Sequence, residues 1–378
     1  MFDIPRRNDP CWCGSEKKFK KCHLNREHEP PLERQDFEQQ TKKHTKTCCA
    51  ETLNDGLCTT KIIKAHTISK SGSLKQIAEN GHVMGTKTSL NELIKTEGSL
   101  VTKKVGINDA STFTGFCSYH DKELFAALED QKISLSNEQL FLLAYRSTNR
   151  ELYAKDEQLL GVEFMKVADR GQPHHIQQFI QMQAKLQESG IKLALDELNL
   201  IKNEMDRLLL SGKFDEMNHF VIELRDVPDV LVSGSTQPEF DFSGARLQNL
   251  GVHGSKLSHL IYNAISYENK GCFVFSWLST HNKICKRFID SLMSLAPKDL
   301  STALVKYCYT FCENTWASPV WWDNLDERLK SELNRRVQLH GFNPAQARDL
   351  VPDDFEFDAF RIGKTWLHQS PSIAPQPA

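Results

Sequence analysis

The sequence predicts an α+β fold that is divided into several domains. Its 378 residues exceed the roughly 100–200 residues that one hydrophobic core usually serves. Segments with the periodicity of amphipathic helices alternate with β-branched and aromatic runs that are typical of strands. Seven of the eleven cysteines lie in the first 120 residues. The N-terminal third is therefore organised differently from the rest.

The composition is that of an ordinary globular protein, with 39% hydrophobic and 25% charged residues. No apolar run approaches the roughly 20 residues of a membrane helix, and the N-terminus lacks the apolar core of a signal peptide. We therefore expect a cytoplasmic protein without a membrane partner. In that compartment cysteines serve as metal ligands or buried thiols more often than as disulfides.

The first motif places two cysteines one residue apart, then a Gly-Ser turn, a basic stretch and a Cys-His pair. Four such groups can close around one tetrahedral zinc ion. The motif closely resembles SEC-C, a small zinc finger found on the protein-translocation motor ATPase and on many unrelated bacterial proteins. The resemblance assigns as ligands Cys11, Cys13, Cys22 and His23. It also implies that the finger docks onto a protein partner.

A second group of cysteines and a histidine spans residues 48–120. Cys58 precedes a β-branched run, and Cys117 and His120 form a later Cys-x-x-His pair. The fourth ligand is Cys48 or Cys49, and we favour Cys49. These residue types again suit a structural zinc ion.

Between these ligands lies His66, near the end of a strand predicted over 60–69. A helix predicted over 121–131 follows the Cys-x-x-His pair. Residues 61–104 carry eight lysines against three glutamates, a balance that suits a phosphate backbone.

This order of residues resembles the HNH, or ββα-metal, nucleases, whose fold is often held by a treble-clef zinc site. The resemblance implies that His66 is the general base and that Asp121 holds a catalytic Mg²⁺ or Mn²⁺ ion. The substrate would be DNA or RNA. Where the family has an orienting asparagine, this sequence has Ser111 and Thr112. Proteins assembled in this way resemble effectors of phage defence.

Two alternatives remain open at this point. His66 could be a structural strand residue or a further zinc ligand, and His82 is a second candidate histidine. The whole protein could instead be a non-catalytic zinc-dependent adaptor that binds protein or nucleic acid. The absent asparagine favours the adaptor, whereas His66 and Asp121 favour the nuclease.

The rest of the chain is predicted to form a helical region and then an α+β domain. A long amphipathic helix over 176–210, with a break at Gly190, is rich enough in Gln and Glu to pair with a second copy of itself. The predicted domains are a SEC-C-like finger (1–28), a polar linker (29–46), an HNH-like zinc domain (47–131), a helical region (132–215), an α+β domain (216–345) and an acidic segment with a disordered tail (346–378).

Overall fold

The computed structural model describes residues 4–33, 36, 46–59, 61–86, 96, 99–250, 256–342 and 346–370. Most of the predicted polar linker and the predicted disordered tail after Ser370 lie outside these ranges. Helices and strands are both abundant, which confirms a mixed α and β fold.

The chain folds into two compact units. Unit 1 contains residues 1–46 and 152–200, and unit 2 contains residues 47–151 and 201–378. This division differs from the predicted boundaries at 131, 215 and 345. Segments that were predicted to be separate domains contribute strands to one sheet, as described below.

Ten strands are present in the described ranges. They are β1 (Ile62–His66), β2 (His82–Gly85), β3 (Lys103–Gly106), β4 (Thr112–Cys117), β5 (Met217–Leu224), β6 (Val230–Thr236), β7 (Leu260–Tyr267), β8 (Lys270–Leu278), β9 (Thr315–Ala317) and β10 (Ile362–His368).

The α-helices longer than one turn are α1 (Ser118–Leu124), α2 (Ala126–Glu129), α3 (Asn137–Met165), α4 (His174–Ser211), α5 (Asn282–Met293), α6 (Leu300–Phe311), α7 (Pro319–Asn324) and α8 (Glu327–Phe342). None of the helices in the described ranges is both long enough and apolar enough to cross a membrane.

Unit 2 is built on an eight-stranded antiparallel sheet with the strand order β10-β5-β8-β7-β6-β9-β2-β3. Helices α5, α6 and α8 supply side chains to the main hydrophobic core together with strand residues such as Val232 and Phe273. Because side chains alternate along a strand, Leu231 faces the other side of the sheet. There it packs with Ile68, Leu74 and Trp316 in a second core.

The second core fixes the segment that follows His66. Residues Lys70–Ile77 form two helical turns. Ser73 binds this segment to β7, since its Oγ donates to the carbonyl of Ser266 at 3.1 Å and accepts from the Ser266 amide at the same distance. The position of the lysines in these turns is therefore set by the sheet.

Strands β1 and β4 pair antiparallel in a separate two-stranded ribbon, which leads directly into α1. His66, the last residue of β1, lies opposite Thr112. At the other end Ile62 lies opposite Cys117, whose Sγ accepts from the amide of His120 and caps α1. The strand and helix expected here form at nearly the expected positions.

In unit 1 the predicted break at Gly190 does not occur, since α4 is continuous from His174 to Ser211. An interior glycine costs a helix only about 1 kcal/mol relative to alanine. Glu188 and Lys192 form an ion pair across this position at 2.6 Å. Because several helical turns lie on each side of Gly190, this small cost does not interrupt the helix.

His219 provides a prediction about stability. It is completely buried on β5, where burial lowers the pKa of its imidazole to about 3 from the usual 6.5. Between pH 3 and pH 6.5 the imidazole is protonated in the unfolded chain but not in the folded one. The free energy of unfolding therefore falls as the pH drops below 6.5. The contribution amounts to about 2 kcal/mol at pH 5. Urea unfolding at pH 7.5 and pH 5 should show a smaller loss for His219→Gln than for the wild type. Equal losses would contradict this assignment.

Candidate metal centres and the cleft at His66

The N-terminal finger gathers the four predicted ligands. The ligand atoms of Cys11, Cys13, Cys22 and His23 all lie within 4.8 Å of one another. His23 Nδ1 lies 3.2 Å from Cys11 Sγ and 3.1 Å from Cys22 Sγ. A tetrahedral zinc ion places its ligand atoms roughly 3.7 Å apart, so three sulfurs and one nitrogen at these distances suit zinc.

A carboxylate of unit 1 supports the finger from outside the cluster. His23 Nε2 donates to Asp169 Oδ2 at 2.8 Å, and Asp169 also accepts from Arg26 and Gln181. Asp169 is fully buried. This contact leaves Nδ1 free to face the cysteines, because it holds the proton on Nε2. Asp169 therefore fixes both the tautomer and the ring orientation of His23.

A second four-ligand cluster lies in unit 2 and consists of Cys48, Cys58, Cys117 and His120. His120 Nδ1 lies 3.3 Å from Cys117 Sγ, 3.4 Å from Cys58 Sγ and 3.6 Å from Cys48 Sγ. The cluster joins residues 48–59 to the junction between β4 and α1. Its donors and spacing again suit a structural zinc ion.

The expectation that Cys49 is the fourth ligand is corrected by these positions. Cys48 Sγ faces the cluster and accepts a hydrogen bond from the Cys117 amide at 3.3 Å. Cys49 begins a 3₁₀ turn and lies toward the Asn149 carbonyl, with Sγ 4.0 Å from that oxygen. Cys48 is therefore the fourth member of the cluster, and the Cys49 side chain points away from it.

The long spacing between Cys48 and Cys58 has a structural purpose. The intervening loop carries Asp55, whose Oδ2 accepts from His120 Nε2 at 2.9 Å.

Cys117 accepts from the backbone amides of His120 and Thr59. Burial alone would raise the pKa of the Cys117 thiol, but these hydrogen bonds outweigh burial and lower its pKa to about 6. Cys117 therefore favours the thiolate that a metal requires, whereas burial raises the pKa of the Cys48 and Cys58 thiols.

His66 lies outside both clusters. Its Nε2 lies 2.9 Å from the carbonyl oxygen of Ile107. A carbonyl can only accept, so Nε2 carries the proton and the lone pair is on Nδ1. Burial lowers the pKa of His66, and the nearby Lys70 and Lys64 lower it further, so the ring is neutral at pH 7.

His66 lines an open cleft of about 460 Å³ in unit 2. Asp121, on the first turn of α1, lines the same cleft, as do four cationic side chains: Lys64, Lys70, Lys75 and Arg146. Burial raises the pKa of Asp121, while Arg146 opposes this effect. The cleft therefore combines a neutral imidazole, a carboxylate and a cationic wall.

Arg146 and Glu129 form the back of the cleft. Arg146 Nη1 donates to Glu129 Oε1 at 2.7 Å, its guanidinium lies 4.0 Å from the centre of the Phe125 ring, and Ser69 donates to the other Glu129 oxygen. Sequence reasoning missed Arg146. The indication in the sequence was a charged residue within the apolar run of α3. A buried arginine is nearly always paired, so its position predicts a nearby carboxylate.

The comparisons with known proteins concern only the finger. Residues 7–25 match the SEC-C motif family, which confirms that resemblance. The chain is 83% identical over 23 residues to the protein translocase subunit SecA of Chloroflexus aggregans, covering 6% of this chain and 2% of SecA. It is 61% identical over 28 residues to a methionine aminopeptidase of Chlamydia trachomatis, covering 7% and 10%.

The chain thus spans a tenth or less of the length of these curated relatives. No solved structure matches the chain. The comparisons identify the finger as a SEC-C motif and leave unit 2 to be interpreted from its own geometry.

The adjacent cysteines allow a matched test of the second metal centre. Cys48→Ser should lower the zinc content of the purified chain from two ions to one, because it removes one of four ligands. Cys49→Ser makes the same sulfur-to-oxygen change at the neighbouring residue, and this variant should retain two zinc ions. Metal analysis by mass spectrometry would measure both. Loss of zinc in the Cys49 variant alone would contradict the ligand assignment.

Proposed function

We propose that this zinc-binding protein is a metal-dependent nuclease, in which His66 acts as the general base for hydrolysis of nucleic-acid phosphodiesters. The observation that carries the proposal is the placement of His66 and Asp121 in one cleft, beside a separate four-ligand cluster. The pairing of β1 with β4, which leads directly into α1, supports the resemblance to the ββα-metal nucleases, although β2 and β3 intervene between these strands along the chain.

His66 is suited to remove a proton from water. A general base must be neutral before the reaction, and burial favours the neutral imidazole. The Ile107 carbonyl holds the ring through Nε2 and stabilises the positive charge that develops when Nδ1 takes up a proton. In this proposal the Ile107 carbonyl oxygen orients His66, the role that the HNH resemblance gives to an asparagine.

The cationic wall suits a polyanion. Lys64, Lys70 and Lys75 project from β1 and from the helical turns that the sheet anchors. Lys64 also forms an ion pair with Asp109. Lysine ammonium groups bind phosphate oxygens and release counterions from the backbone, a contribution that does not depend on base sequence. Both DNA and RNA fit this chemistry.

A catalytic divalent ion would be held by Asp121. Mg²⁺ usually binds through one or two carboxylates and keeps several waters, so Asp121 beside an open volume fits this ion. When bound, such an ion stabilises the charge on the phosphate and the leaving oxygen. The other carboxylate of the cleft, Glu129, is paired with Arg146, so we assign the ion to Asp121.

The finger supplies a second part of the proposal. The two similar proteins, a translocase subunit and an aminopeptidase, differ in activity, so similarity over so short a stretch does not define one reaction. We infer that the finger binds a protein partner and brings unit 2 to its substrate.

The competing function is a non-catalytic adaptor. In that case the same basic cleft would bind nucleic acid without cleaving it. The serine and threonine at positions 111 and 112, where the HNH resemblance implies an asparagine, favour this alternative. Ser111 Oγ accepts from the Ile68 amide and is committed to the backbone.

Cleavage of plasmid DNA and of total RNA in Mg²⁺ or Mn²⁺ separates the two functions. His66→Ala should lower the rate by about 10²–10⁴, the usual contribution of a general base. His82→Ala alters an exposed histidine on β2 of the same unit and should leave the rate unchanged. Both variants should keep their zinc.

Two results would reject the nuclease. One is equal cleavage by the wild type and the His66 variant, which would indicate a contaminant or another site. The other is retention of nucleic acid without cleavage by the wild type, which would establish the adaptor.

A further inference from the structure

A row of apolar side chains lies on the outer face of α4 in unit 1. Phe179, Leu186, Leu193 and Leu200 recur at every seventh residue, and their exposed fractions are 57%, 62%, 45% and 70%. Met182, 44% exposed, lies between Phe179 and Leu186 on the same face. Single exposed apolar residues are normal on a surface, but an unbroken row over three heptads is not.

The row is distinct from the face of α4 that packs inside unit 1. Gln177, Ala184 and Leu198 are buried and lie on the other side of the helix. A repeat of seven residues keeps one face of a helix against a partner helix when the two supercoil. The spacing of the row therefore indicates a helix as its partner.

We propose that α4 pairs with α4 of a second copy of this chain in an antiparallel coiled coil. Antiparallel pairing about the Ser189–Gly190 midpoint brings Phe179 of one copy beside Leu200 of the other. It likewise brings Leu186 beside Leu193. The small residues at the centre allow the two helices to approach closely.

Charge complementarity selects this partner and this orientation. Lys185 and Asp196 are exposed on the same side of the row. Antiparallel pairing brings Lys185 of each copy within one helical turn of Asp196 of the other, whereas Lys192 of that copy, which comes equally near, is already paired with Glu188 of its own helix. Parallel pairing would place Asp196 against its own copy, which is unfavourable.

The oligomeric state of the full chain tests the proposal through light scattering coupled to size-exclusion chromatography. The wild type should have twice the chain mass of 43.2 kDa. Leu186→Glu and Leu193→Lys, each alone, should reduce it to the mass of one chain. The double variant Leu186→Glu/Leu193→Lys should restore the dimer, because antiparallel pairing places each new carboxylate beside a new ammonium group.

Leu160→Lys is the matched control, since Leu160 lies on α3 and is 42% exposed. It should remain dimeric, and all variants should keep the circular dichroism spectrum of the folded wild type. A monomeric wild type would overturn the proposal. Failure of the double variant to recover the dimer that both single variants lose would overturn the antiparallel arrangement.

Discussion

The cluster formed by Cys48, Cys58, Cys117 and His120 is the constraint on which the proposed site depends. The ribbon of β1 and β4 has only two strands, and such ribbons are marginally stable alone. Structural zinc supplies roughly 10–16 kcal/mol of apparent binding energy in small zinc modules. An ion in this cluster would join the loop before β1 to the end of β4, and it would set the residue at which α1 begins. The position of Asp121 in the cleft follows from that start.

The two clusters have the same set of ligands and the same outer contact to the histidine. Each has three cysteines and one histidine, and in each the histidine turns Nδ1 to the sulfurs and Nε2 to an aspartate. Asp169 is 146 positions from its histidine, whereas Asp55 lies within the loop between two ligands. The aspartates fix the orientation of each imidazole, as the outer partners of metal-binding histidines do.

Much of this organisation could be predicted from the sequence. The Cys and His spacings identified the finger, and the β-branched run located the strand that carries His66. The choice between Cys48 and Cys49 depended on the direction of two adjacent side chains, which a sequence does not encode in its spacing. No local sequence pattern marks Asp169, because it meets His23 only after residues 152–200 fold against the finger within unit 1.

The sheet of unit 2 was the least predictable feature. Strands β2 and β3 join strands that are more than 100 residues later in the chain, through the three-residue strand β9. A strand of three residues is too short to show an alternating pattern, and its partner β2 is far away in the sequence. The sequence therefore does not indicate this pairing. Yet it is this sheet that anchors the turns bearing Lys70 and Lys75, and so shapes the cleft beside His66.

X-ray absorption at the zinc edge tests the central claim most directly, because both centres have the same ligand set. The wild type should bind two zinc ions, each surrounded on average by three sulfurs at about 2.3 Å and one nitrogen at about 2.0–2.1 Å. The spectrum of His66→Ala should be identical. A higher nitrogen count that falls in the His66 variant would show that His66 ligates zinc, and would contradict the proposed role of this histidine as a base.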